Sequence, residues 1–151
     1  MRSVIAAALA LALGSCTTST GEPTRGGQEQ PSVQPVATLA GAWRVAGIDG
    51  ISLDEAYGIA FEADAQTIWW TPRCARQERL YRMDGAQVRF TPNPELQPAP
   101  GKPGLPVCLI GPPPRLPDVM RALDAATRIE RTAQNGVLIS GGGHSLTLFS
   151  Q

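Results

Sequence analysis

Ten of the 27 residues from Thr91 to Pro117 are proline. Each proline removes a backbone donor and fixes φ, so this stretch forms neither a helix nor a central strand. A loop of this length is either functional or disordered. The chain has 151 residues, which favours a single domain. Its core must come from the segments on either side of the prolines.

Upstream, the apolar residues alternate as in half-buried strands. Leu39-Ala40-Gly41-Ala42-Trp43-Arg44-Val45 places Trp43 and Val45 on one face. Ile59 and Phe61 share a face opposite Ala60 and Glu62. In Thr67-Ile68-Trp69-Trp70, Ile68 and Trp70 point one way and Trp69 the other, which predicts a central strand covered on both sides. Gln77 to Met83 and Val88 to Phe90 supply two more strands, joined at Asp84-Gly85. Asp-Gly tolerates the positive φ that a tight hairpin needs. Asp49-Gly50 and Asp64-Ala65-Gln66 turn the chain earlier, giving an antiparallel meander.

Downstream, Pro117 to Ala126 predicts one short helix. Pro117 and Asp118 suit its first turn. Val119, Ala122, Leu123 and Ala126 then fall on one face. Thr127 to Thr132 alternates again, Gln134-Asn135-Gly136 turns, and Val137–Ser140 and Ser145–Phe149 form a closing pair across Gly141-Gly142-Gly143-His144. The expected class is mainly β (α+β): a small antiparallel sheet or partly open barrel, with one helix packed across an open end or face.

Three cysteines punctuate this pattern. Cys74 follows the Thr67–Trp70 strand, and Cys108 sits in the proline-rich stretch beside Val107, Leu109 and Ile110, its expected apolar docking point. Two cysteines in a secreted chain usually pair. A Cys74–Cys108 disulfide would stabilise by about 4 kcal/mol in the chain-entropy picture. Free thiols or metal ligation are the alternatives.

The third, Cys16, belongs to an address. Met1-Arg2-Ser3 is a short basic start, and Val4 to Leu13 is an apolar run too short to span a bilayer. Leu13-Gly14-Ser15-Cys16 resembles the lipobox of bacterial lipoproteins, in which the chain is cut before the cysteine and the cysteine is lipidated. Thr17 in place of Asp implies, by the same resemblance, sorting to the outer membrane on its periplasmic side. Ordinary signal cleavage leaving a reactive thiol is the competing reading. Thr17 to Val36 is too polar to bury enough surface to offset ordering. Such a tether spans about 25 Å. The expected map is therefore a lipoprotein signal over 1–15, a lipidated cysteine and tether over 16–38, and a folded domain over 39–151. Losing residues 1–15 removes one of 13 basic residues and no acidic one, a formal charge of −1. That balance argues against a nucleic-acid partner.

No constellation names a reaction, and no cofactor is expected. One histidine and no close cysteine pair speak against a metal site. A Cys/His nucleophile would need Cys74 or Cys108 beside His144 and an orienting group. Gly141–Gly143 precedes a strand and reads as a permissive turn, not a phosphate cradle at a helix start. Arg73, Arg76, Arg79 and Arg82, with Arg89 beyond them, concentrate positive charge. They are candidate contacts for an anionic partner, against the plainer reading of a solvated strand face.

The order of parts resembles the META-domain family, which includes the HslJ-like heat-shock lipoproteins. The resembling residues are Leu39-Ala40-Gly41-Ala42-Trp43, Ile59-Ala60-Phe61, Cys74, Tyr81, Val88-Arg89-Phe90, Cys108, the helix around Leu123, and Leu146-Thr147-Leu148. They span residues 39–151. The resemblance implies a non-enzymatic, mostly antiparallel β domain with one packed helix, linked to envelope stress. On this reading the chain is a monomer held at the membrane by its lipid, binding an envelope protein or ligand. A rival reading is an inhibitor of a secreted protease or lysozyme that presents the stiff 91–117 loop. A third is a barrel with an apolar cavity lined by the tryptophans.

Overall fold

The alternating segments become strands that pair in chain order. The computed structural model describes residues 35–98, 100–104 and 108–151. The expected signal over 1–15, Cys16, the expected tether as far as residue 34, and Val107 lie outside the described residues. The strands are β1 Gly41–Ile48, β2 Ile51–Ser52, β3 Ala60–Ala63, β4 Thr67–Trp70, β5 Glu78–Asp84, β6 Gln87–Pro92, β7 Arg128–Arg131, β8 Val137–Gly141 and β9 His144–Ser150. Every pairing is antiparallel, and β1 also pairs with β9, from Trp43↔Ser150 to Ile48↔Leu146. The result is a closed eight-stranded barrel, with the two-residue β2 appended to the end of β1. The sheet that the sequence left partly open thus closes into a ring. A register shift between Val45 and Gly47 bends β1 into this closure.

The helix α1, Leu116–Ala125, lies where the ring is weakest. β6 and β7 share the single register pair Gln87↔Arg128, and α1 packs against β6, β8, β9 and β1. It buries Leu116, Val119, Met120, Ala122 and Leu123, the face set by its i, i+3, i+4 spacing. The barrel interior is filled by Trp43, Val45, Phe61, Ile68, Trp70 and Phe90 on one side and Ile129, Ile139, Leu146 and Leu148 on the other. Eight strands enclose just enough room for such side chains. None of the principal cavities among the described residues is lined by a tryptophan. The reading of a tryptophan-lined ligand cavity is therefore set aside. Trp69 faces outward and is half-buried, as the alternation predicts.

Packing starts before Leu39. Val36, placed in the tether by its polar neighbours, is buried with Leu39, and the Trp43 indole Nε1 donates to the Leu39 carbonyl at 2.6 Å. The turns follow from residues that accept positive φ. Asp49 (φ 53) and Gly50 (φ 77) join β1 to β2, and Gly142 (φ 55) and Gly143 (φ 83) join β8 to β9. The β5–β6 turn falls one residue later than expected. Asp84 pairs with Gln87, leaving Gly85-Ala86 as the loop, with positive φ at Gly85.

Candidate functional site

The disulfide defines one outer face of the barrel. After β4 the chain makes a one-turn 3₁₀ helix, Arg73–Ala75, which carries Cys74. Cys74 and Cys108 are bonded, with Cα atoms 5.4 Å apart and 34 residues of separation. The Cys108 amide also donates to the Cys74 carbonyl at 3.2 Å. Cys74 is exposed, so the clamp grips a surface turn beyond the core strand. Of the apolar patch expected to dock the loop, Cys108 is held by the disulfide while Leu109 and Ile110 face solvent. Leu109 is 99% exposed and Ile110 43%. The cavity beside Cys74 is lined mainly by polar residues. There the buried carboxylate of Glu78 accepts from Arg73 Nε at 3.2 Å and from Asn93 Nδ2 at 2.6 Å. The same Arg73 guanidinium lies over the Trp69 ring, 4.2 Å from its centroid. Asn93 in turn caps the short helix Pro94–Leu96 by accepting from the Glu95 amide.

The candidate arginines do not form one face. Arg73 and Arg76 sit together beside the disulfide, around a shallow cavity of about 360 Å³ that also touches Glu78 and Asn93. Arg79 lines a second cavity with Arg76 and forks onto Asp124 of α1. Arg82 is exposed on the outer face and stands directly opposite Arg89 of β6. Alternation already separates positions 79 and 82, because an odd offset along a strand reverses the face. Arg89, left at the margin of the cluster by the sequence, is the true neighbour of Arg82. The register set by the β5–β6 turn is the signal that finds it.

The hairpin tips hold the other polar arrangement. The Asp49 carboxylate accepts from the Ser145 amide at 2.8 Å and contacts His144 Nδ1 at 3.1 Å. The Ser145 amide, then His144, holds its pKa below the ordinary value of 3.8. Asp64 does the same job in the β3–β4 turn, lowered first by the Gln66 amide and then by that of Thr67. Burial pushes the Tyr81 hydroxyl up, and this hydroxyl donates to the Asp64 carbonyl at 2.6 Å. The sequence pattern marked Asp49 as a turn residue but not its contact with His144, 95 residues away.

Comparison with protein-family models, with curated proteins and with solved structures returned no match. The chemistry is accordingly read from the residues alone. In the bonded pair neither Cys74 nor Cys108 presents a thiolate for nucleophilic attack or metal ligation. Among the described residues no group of three or more His, Cys, Asp or Glu could hold a metal ion. Gly141–Gly143 leads from one strand into the next, so its amides do not converge at a helix start. Among the described residues no helix is long and apolar enough to cross a membrane.

Proposed function

We propose that this chain is a non-enzymatic, lipid-anchored envelope protein, with a META/HslJ-like barrel that binds a protein or ligand in envelope stress or maintenance. Cys16 carries the lipid, and the barrel hangs from it on the polar tether, on the periplasmic side of the outer membrane. The observation that supports this reading is the Cys74–Cys108 disulfide on an exposed surface. Such bonds persist in oxidising compartments and are rare where thiols are kept reduced. A closed barrel with a filled interior leaves its outer faces as the surfaces for recognition. Palmitate labelling of the wild-type chain against Cys16→Ala tests the anchor. Label on the wild type alone is expected, and equal labelling of both would remove it. Affinity capture from envelope extract, with the mature chain as bait, identifies the partner.

One observation favours the rival inhibitor reading. The proline-rich loop, fixed by the disulfide, holds Leu109 and Ile110 out in solvent. A pre-stiffened apolar tip loses little entropy on entering an active-site cleft. Leu109→Asp leaves the core untouched, so loss of inhibition of a secreted hydrolase by this variant would favour the inhibitor.

A further inference from the structure

A cavity of about 720 Å³ lies against the outside of β5 and β6, bounded by the segment entering β1 and by the β3–β4 turn. Its volume falls within the range of about 300–1,000 Å³ usual for small-ligand sites. Arg82 and Arg89 line it together with Leu80, Met83, Thr38 and Gln66. No aspartate or glutamate does. Asp64, next to the wall in the chain, is occupied by the Gln66 and Thr67 amides.

The two arginines are the unusual feature. They are direct cross-strand partners, and both are exposed. Among the described residues neither makes an ion pair or side-chain hydrogen bond, whereas Arg73, Arg79, Arg115, Arg121 and Arg128 each hold a carboxylate. Like charges placed directly opposite destabilise a sheet. Side chains at opposed positions are close enough for both guanidinium forks to take one tetrahedral or planar anion. Leu80, half-buried and two residues from Arg82 on the same face of β5, offers an apolar contact alongside.

We propose that this cavity binds a phosphate-headed amphiphile, its head between Arg82 and Arg89 and its apolar part against Leu80. The site goes beyond the envelope reading and does not need the lipid anchor. The ligand could arrive as a free monomer or from an anionic bilayer, and the test separates the two.

The full chain is titrated calorimetrically with dodecyl phosphate below its micelle concentration, and sedimented with vesicles with and without phosphatidylglycerol. Saturable binding of the monomer is expected. Arg82→Gln and Arg89→Gln should each weaken it roughly tenfold, the loss of a charged hydrogen-bonding partner. Arg44→Gln, at an exposed position of β1, should leave it unchanged. Sedimentation with phosphatidylglycerol vesicles alone, with the same dependence on Arg82 and Arg89, would support the site and assign the ligand to the bilayer. Binding in neither arm overturns the proposal, as does equal weakening by Arg44→Gln. Inorganic phosphate binding as tightly as dodecyl phosphate overturns the role of Leu80. Thermal midpoints that hold or rise in Arg82→Gln and Arg89→Gln show that the variants fold.

Discussion

Arg79 and Asp124 meet as a fork, Nε to Oδ1 at 2.5 Å and Nη2 to Oδ2 at 2.8 Å, across 45 residues of chain. The pair ties β5 to α1, beside the place where β6 and β7 diverge. The arginine is largely covered, at 17% side-chain exposure, while the aspartate keeps 44%. Bidentate geometry lifts such a pair above an ordinary surface bridge. Asp124→Ala should cost about 1–3 kcal/mol in urea unfolding, because it strands a mostly covered guanidinium. A double-mutant cycle with Arg79→Ala should return a coupling of about 0.5–2 kcal/mol. No coupling would mean that α1 is held by its apolar face alone.

The Asp49 tie between hairpins predicts an acid limb of stability. Its folded pKa lies below 3.8 because the Ser145 amide, and after it His144, favour the charged form. A lowered carboxylate pKa stabilises the fold above the unfolded value, and that stability is lost as pH falls through the folded value. Asp118, lowered by Arg115 and Arg121, adds to the same limb. The expected result for Asp49→Asn is a shallower loss of thermal midpoint below about pH 4, near the ordinary aspartate value, with little change in slope above about pH 5, one unit higher. Midpoints measured from pH 2 to 7, a range of roughly two units below to three above that value, decide the matter.

Gly141 is required by space. A Cβ there would run into the Ala125 carbonyl oxygen and would stand 2.5 Å from the Thr127 nitrogen. Both are backbone atoms at the end of α1, so nothing flexible can give way. Gly141→Ala should destabilise by about 1–3 kcal/mol, the usual cost of overpacking. The neighbouring Gly143 has open space but φ +83. Gly143→Ala should therefore cost less, roughly 1–2 kcal/mol of left-handed backbone strain. Equal effects in urea unfolding would count against the close approach.

The disulfide closes a loop of 34 residues. Cys74→Ser with Cys108→Ser should lower unfolding free energy by about 4 kcal/mol on the chain-entropy account. The barrel should persist, because neither cysteine belongs to its filled interior. Reductant added to the wild-type chain should reproduce the double-serine midpoint and leave the double variant unmoved. A barrel signature lost from the far-ultraviolet spectrum on reduction would contradict this.

Much of the fold was legible in sequence because local rules govern it. Alternation at Trp43/Val45, Ile59/Phe61 and Ile68/Trp70 reflects the two-residue period of a strand, and all six residues are buried as that period requires. The helix around Leu123 and the turn at Asp49-Gly50 follow from equally local preferences. The proline density between 91 and 117 likewise kept out any long element, the described residues there holding only the end of β6, the one-turn helix Pro94–Leu96 and the first two residues of α1. The Cys74–Cys108 bond was within reach because few cysteines leave few pairings. What only the tertiary structure decided was ring closure by β1 and β9, the position of α1 at the parting of β6 and β7, the Asp49–His144 contact, and the division of the arginines among different faces. Each of these joins residues distant in the chain. Their energy depends on which surfaces meet after closure, a quantity that no window of neighbouring residues contains.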